Sequence, residues 1–226
     1  NAIWNDQNRF DTWKLIQEKY VETLEQLKIA EAGIAKKIRE AEVSKEEVYK
    51  QEEVTNHDLA SFVDILQKKV GEGSNWIHYG LTSSDIVDSA NSLLILQSIE
   101  IAQELILDLL KELKLKAKEN KDTKIIGRTH GVYAEETFLG NIFGNWYLEI
   151  KRSLDRVERA KVSIAYGKLS GPVGNHTVVT EEMEKITLEK LGLKPEIFAS
   201  QIVSRDRYAE VFTSLSILAS TYERIS

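Results

Sequence analysis

From Asp85 to about Asn120 the chain carries apolar residues at helical spacing without a break. Ile86, Ala90, Leu93, Leu94, Ile101, Leu105, Leu109 and Leu113 fall on one broad side, which predicts a single helix of roughly 50 Å at 1.5 Å per residue. A second long pattern, from about Glu136 to Tyr166, carries Ile142, Trp146, Ile150 and Val157. Helices of this length pack antiparallel into bundles. Two prolines in 226 residues leave such helices uninterrupted, so the expected fold class is all-α.

Shorter patterns precede the long ones. Residues 6–40 are amphipathic, with Phe10, Trp13, Ile16, Tyr20, Leu24 and Leu27 as the apolar set. Ser44 followed by Glu47 is a capping-box pattern opening a helix to about Glu53. Thr55 followed by Asp58 repeats the signal and starts a helix that buries Leu59, Phe62, Val63, Leu66 and Val70 and ends at Gly71 and Gly73. Residues 74–84 read as a loop, and Gly167 to His176 as a glycine-rich one. A helix over about 180–191 closes at Gly192, and a last one starts near Ser204 with Tyr208, Val211, Phe212, Leu215, Leu218 and Tyr222 on one side. The expected organisation is a small helical domain over 1–90, then a long-helix bundle over 91–226 that stops in mid-helix. The long helices carry more apolar surface than one short chain can cover, which predicts an oligomer.

Composition narrows the function. Hydrophobic residues make up 42% of the chain, enough for a packed core. A net charge of −6 argues against general binding of nucleic acid or a membrane surface. No stretch is long and apolar enough to span a membrane, and the start has no signal-peptide pattern. It also lacks a methionine, so the gene is expected to begin earlier. The absence of cysteine excludes disulfides and thiolate metal sites and suits a reducing, cytoplasmic compartment.

Three polar strings are not needed by the helical stripes. In Thr55-Asn56-His57-Asp58, the acid favours a helix N-terminus, and His57 has a bland reading as a neighbour of the cap. In the string from His78 to Asp88, capping accounts for one of Thr82, Ser83 and Ser84 and leaves two hydroxyls at a helix end suited to a carboxylate or phosphate. Gly127-Arg128-Thr129-His130-Gly131 sets a histidine, suited to proton transfer near neutrality, between residues that let a ligand approach. Its bland reading is a loop histidine bonded to a carbonyl. Neither a metal-binding HExxH nor the GxSxG of a serine hydrolase is present, so no metal is expected.

Taken together, these strings resemble the adenylosuccinate lyase family of the fumarase/aspartase superfamily. Ser200-Gln201-Ile202-Val203-Ser204-Arg205-Asp206-Arg207 and Ile3-Trp4-Asn5-Asp6 match further family positions in order, so the resemblance covers essentially the whole chain. It implies a cofactor-free β-elimination that splits adenylosuccinate to AMP and fumarate, and a related carboxamide ribotide in purine synthesis. By the same resemblance His130 would be the general acid on the leaving nitrogen, and His57 would assist by holding substrate. Asn56 and Asp58 would shape the pocket, although some members carry a basic residue at the position of Asn56. Thr82 and Ser83 would grip the succinyl carboxylate, and Thr129 and Gln201 would make further substrate contacts. His78 would stand behind these groups, and Arg205 and Arg207 would make ion pairs at a helix start. Pro172 departs from the alanine common in the family. The family's loop bearing its base serine would lie beyond Ser226, and its active sites are shared among the subunits of a homotetramer. The alternatives are another fumarate-releasing lyase, of the argininosuccinate type, and a non-catalytic structural bundle.

Overall fold

The computed structural model describes residues 2–226 and is all-α apart from small strand pieces. Its helices are α1 (Asp6–Gln26), α2 (Ile34–Glu40), α3 (Lys45–Thr55), α4 (Asp58–Val70), α5 (Ser83–Glu119), α6 (Leu139–Ile164), α7 (Glu181–Lys190) and α8 (Asp206–Ile225). The strands are β1 (Lys124–Thr129) and β2 (Val132–Phe138), paired antiparallel, and the two-residue β3 (Tyr166–Gly167) and β4 (Lys194–Pro195), paired parallel. Among the described residues, no helix is long and apolar enough to cross a membrane.

The chain divides into two compact units. One comprises the chain up to Gln97 together with Ala165–Arg205. Here the α1 stripe is buried as its spacing predicts: Phe10, Trp13, Ile16, Tyr20 and Leu24 are all at most 2% exposed. Phe10 and Trp13 meet Phe62 of α4, Trp13 edge-on with ring centroids 5.6 Å apart. Leu59, Leu66, Ile86, Ala90, Leu169, Leu188 and Leu193 complete the same core. Aromatic pairs of this kind add about 0.5–1.5 kcal/mol beyond the area they bury.

The amphipathic stretch over 6–40 is two helices. Lys28 turns left-handed (φ 60°) while the Ile29 N–H reaches back to the Leu24 carbonyl, which closes α1 before Gly33 opens α2. The capping box at Ser44 is present, with the Ser44 N–H donating to Glu47 Oε2 at 3.1 Å and the Glu47 N–H to Ser44 Oγ at 3.3 Å. The second capping signal corrects the sequence reading. The N-cap of α4 is His57, and Thr55 is the last residue of α3.

The other unit comprises Ser98–Ile164 and Asp206–Ser226. Its α6 packs along α8, with Ile150, Val157 and Ile164 of one and Val211 and Leu218 of the other buried. Two apolar sets differ from the sequence reading. In α5 past residue 98, the buried positions are Ile99, Ile106, Leu110 and Leu113, while Ile101 and Leu105 are 51% and 64% exposed. In α8, Phe212 is exposed. The third difference is Val132–Phe138, an exposed strand in a hairpin with β1, so α6 starts at Leu139 and not near Glu136.

Candidate functional site

The site is built where α3 gives way to α4. Asn56 caps α3 in left-handed backbone (φ 52°), a conformation asparagine tolerates better than most residues, and its N–H donates to the Glu52 carbonyl at 2.8 Å. The chain then extends for one residue at His57, whose Nδ1 accepts the Ala60 N–H at 3.4 Å. A ring nitrogen that accepts carries no proton, so in the neutral imidazole the proton sits on Nε2. That Nε2 faces Ser83 Oγ, the first residue of α5, at 3.1 Å.

The His57 backbone is braced on both sides. Ser61 Oγ donates to its carbonyl at 2.8 Å, and its N–H donates to Thr55 Oγ1 at 3.2 Å. Thr55 Oγ1 also contacts Ser61 Oγ, closing a ring of hydroxyls around the peptide. Asp58 follows, with Oδ1 accepting the Leu59 N–H at 2.7 Å and lying 3.4 Å from His57 Nδ1. The His57 and Asp58 side chains remain 48% and 39% exposed, open to a ligand.

The start of α5 is fixed from below by three residues at i, i+3 and i+4, one face of the helix. Asp85 is fully buried, and its Oδ2 accepts the Thr82 N–H at 2.9 Å and the Gly171 N–H at 3.2 Å. Its Oδ1 pairs with the ammonium of Lys168, which is also fully buried and donates to the Gly171 carbonyl at 2.8 Å. Burial pushes the Asp85 carboxyl up, and Lys168 and the two backbone N–H groups pull it back. Asp88 accepts the Val203 N–H at 2.9 Å and pairs with Arg205 at 3.0 Å. Ser89 Oγ donates to the Lys168 carbonyl and accepts its N–H, both at 3.2 Å.

This face of α5 therefore grips both the glycine-rich loop and the segment carrying Gln201, which is exposed. The loop and that segment also touch directly. A Cβ on Gly174 (φ 74°) would fall 2.1 Å from the Ala199 carbonyl oxygen.

His78 stands in left-handed backbone (φ 63°). The buried Gln17 holds it twice, its Oε1 accepting the His78 N–H at 3.0 Å and its Nε2 donating to Nδ1 at 2.9 Å. Burial lowers the His78 imidazole to about 4, with a smaller contribution from His57, so the ring is neutral at physiological pH.

Thr129 and His130 lie in the second unit, on the β1–β2 hairpin. Thr129 pairs with Val132, and His130 (φ 54°) and Gly131 (φ 76°) form the two-residue connection, both with positive φ as tight hairpins require. The glycine is therefore set by backbone geometry. His130 is exposed at the tip, while Arg128 lies over the Tyr133 ring at 5.0 Å.

Of the residues named from the sequence, the structure joins His57 to Ser83, with Asn56, Asp58 and Thr82 their chain neighbours, and ties the Gln201 segment to α5 through Asp88. Arg205 pairs with that aspartate, and Arg207 donates to the Ser163 carbonyl at 2.8 Å. The sequence gives no sign of Gln17 or Lys168, and it marks Thr55 only as a cap and Asp85 and Asp88 only as members of a polar string. Only the i, i+3 spacing of Asp85 and Asp88 signalled a shared face. Chemically, the α5 N-terminus offers a hydroxyl, an imidazole N–H and a positive helix end, a set suited to a carboxylate.

A family model described as lyase matches residues 4–226. The adenylosuccinate lyase of Thermotoga maritima is 40% identical over 225 residues, covering 99% of this chain and 52% of its own length. That of Bacillus subtilis is 37% identical, with 100% and 53% covered. The chain thus spans about half the length of the curated relatives it matches. Among solved structures, a fumarate lyase of a Mesorhizobium species superposes with a TM-score of 0.90 at 20% identity, over 99% of this chain and 54% of its own. A β-carboxy-cis,cis-muconate cycloisomerase of Acinetobacter calcoaceticus does so with a TM-score of 0.91 at 20% identity, over 99% and 55%. At that identity the superpositions speak for the fold.

Proposed function

Because the chain belongs to the lyase family, we propose that its polar strings serve an adenylosuccinate lyase reaction, the β-elimination of fumarate from adenylosuccinate and from the related carboxamide ribotide. The observation that carries the reading is the contact between His57 Nε2 and Ser83 Oγ at the N-terminus of α5. Elimination removes a proton from the carbon beside a carboxylate, so negative charge builds on that carboxylate until the electron pair forms the double bond and expels the nitrogen. Donors already fixed at the right place stabilise the charge without reorganising. Thr82 and Ser83 would supply hydroxyls, His57 an imidazole N–H, and the start of α5 its positive end.

His130 would be the general acid that protonates the departing nitrogen, work for which an imidazole is suited near neutrality. Asn56 and Asp58 would border the substrate beside His57, and Thr129 and Gln201 would add contacts. The active protein would be a cytoplasmic homotetramer with shared active sites. Ile101, Leu105, Leu107 and Phe212, all about half exposed or more on the bundle helices, favour such an assembly.

The test is to offer adenylosuccinate and argininosuccinate separately to the full chain as encoded and to follow fumarate. Release from adenylosuccinate supports the reading. Release from argininosuccinate alone overturns the choice of substrate.

A further inference from the structure

A fully buried lysine is rare, because the ammonium loses its hydration and must be paired. Lys168 meets that condition in one place only among its described contacts, between the Asp85 carboxylate and the Gly171 carbonyl. Asp85 in turn holds the N–H of Thr82, the residue before α5, and the N–H of Gly171. A capping hydroxyl could have closed the helix start without any buried charge. The ion pair does something a cap does not: it locks the Thr82–Ser83 turn to the glycine-rich loop from beneath. Ser89 repeats the link one turn on, through both backbone groups of Lys168.

We propose that Lys168 is a positioning residue: its buried ammonium fixes Asp85, and through Asp85 the Thr82–Ser83 turn that faces His57. The proposal rests on the reading of Thr82 and Ser83 as carboxylate-binding groups. Lys168 never touches substrate. Removing its charge leaves Asp85 buried with two N–H donors, a state relieved by protonation or by movement of the helix start. Protonation weakens the hold of Asp85 on the Thr82 and Gly171 N–H groups and movement displaces them, so either loosens the turn that sets Ser83 Oγ against His57 Nε2.

The test is Lys168→Met in the full chain, with Lys168→Met/Asp85→Asn as the second variant, since it removes both charges of the pair if the single change fails to fold. Two readouts are taken: the side-chain nitrogen resonances of His57, and kcat and KM for fumarate release from adenylosuccinate. The expected result, in whichever variant keeps its helical signal, is displaced His57 resonances, as in Ser83→Ala, and a kcat at least tenfold lower with a smaller change in KM. A folded variant with parental His57 resonances and parental kcat overturns the proposal and leaves Lys168 a packing residue. If the parent chain releases no fumarate, the functional reading fails, and the resonances alone decide the positioning role.

Discussion

His57 Nε2 lies 3.1 Å from Ser83 Oγ, so the residue that caps α4 also touches the first residue of α5. One imidazole thereby does two jobs. Nδ1 accepts the Ala60 N–H and closes a helix, and that acceptance keeps the proton on Nε2, where a ligand would meet it.

The two jobs are separable. Asparagine is among the better N-cap residues, so His57→Asn should keep α4 closed, with stability within about 1 kcal/mol of the parent. Its amide cannot reach as an imidazole does, and fumarate release should fall by roughly 10-fold or more, the worth of a charge-assisted donor of about 1.5–3 kcal/mol. Thermal unfolding and a fumarate assay on the same preparation check this. Undiminished turnover would remove His57 from the site.

Stability should depend on pH through His78. Unfolded, its imidazole titrates near the ordinary 6.5, and folded at about 4. Between those values the unfolded chain binds more protons, so this contribution is complete above 6.5 and is lost as pH falls toward 4. The shift corresponds to roughly 3 kcal/mol in all. His78→Asn, which accepts left-handed backbone, should flatten that part of the profile. Urea unfolding at several pH values from 7 to 4 would show it, and parallel profiles for parent and variant would contradict it.

Gly174→Ala tests the tie between the glycine-rich loop and the Gln201 segment. Its Cβ would fall 2.1 Å from a backbone oxygen, at a φ of 74° that already disfavours a side chain. The expected cost is about 2–4 kcal/mol. Because the yielding atoms are backbone at Ala199 and Ser200, Gln201 should move too. Activity should then fall even at temperatures where the variant is fully folded. A variant with parental unfolding and kinetics would show that the segment adapts freely.

What the sequence made legible follows from periodicity. The α1 stripe from Phe10 to Leu24 and the first turns of α5 each face one core, so their spacing alone marks the buried side. Past residue 98 in α5 the same rule misassigned Ile101 and Leu105, because that stretch has apolar residues on more than one face and spacing cannot choose among them. The strand Val132–Phe138 was illegible for a related reason. It is exposed on nearly every residue, so it has no alternating apolar face to read. Thr55 and Asp58 matched a capping box, yet His57 took the cap, since Thr55 stays in helical backbone and bonds around the His57 peptide instead. The ion pair of Asp85 and Lys168 joins residues 83 apart in sequence, a distance over which no local pattern carries information.

The most direct measurement is fumarate release from adenylosuccinate by the full chain and by its His130→Ala variant. His130 sits exposed at the tip of a hairpin whose backbone needs nothing from its imidazole, so truncation should leave the helical signal and unfolding midpoint nearly unchanged. Turnover should fall by about 10²–10⁴-fold, the range for loss of a general acid. Equal turnover in variant and parent would contradict that role.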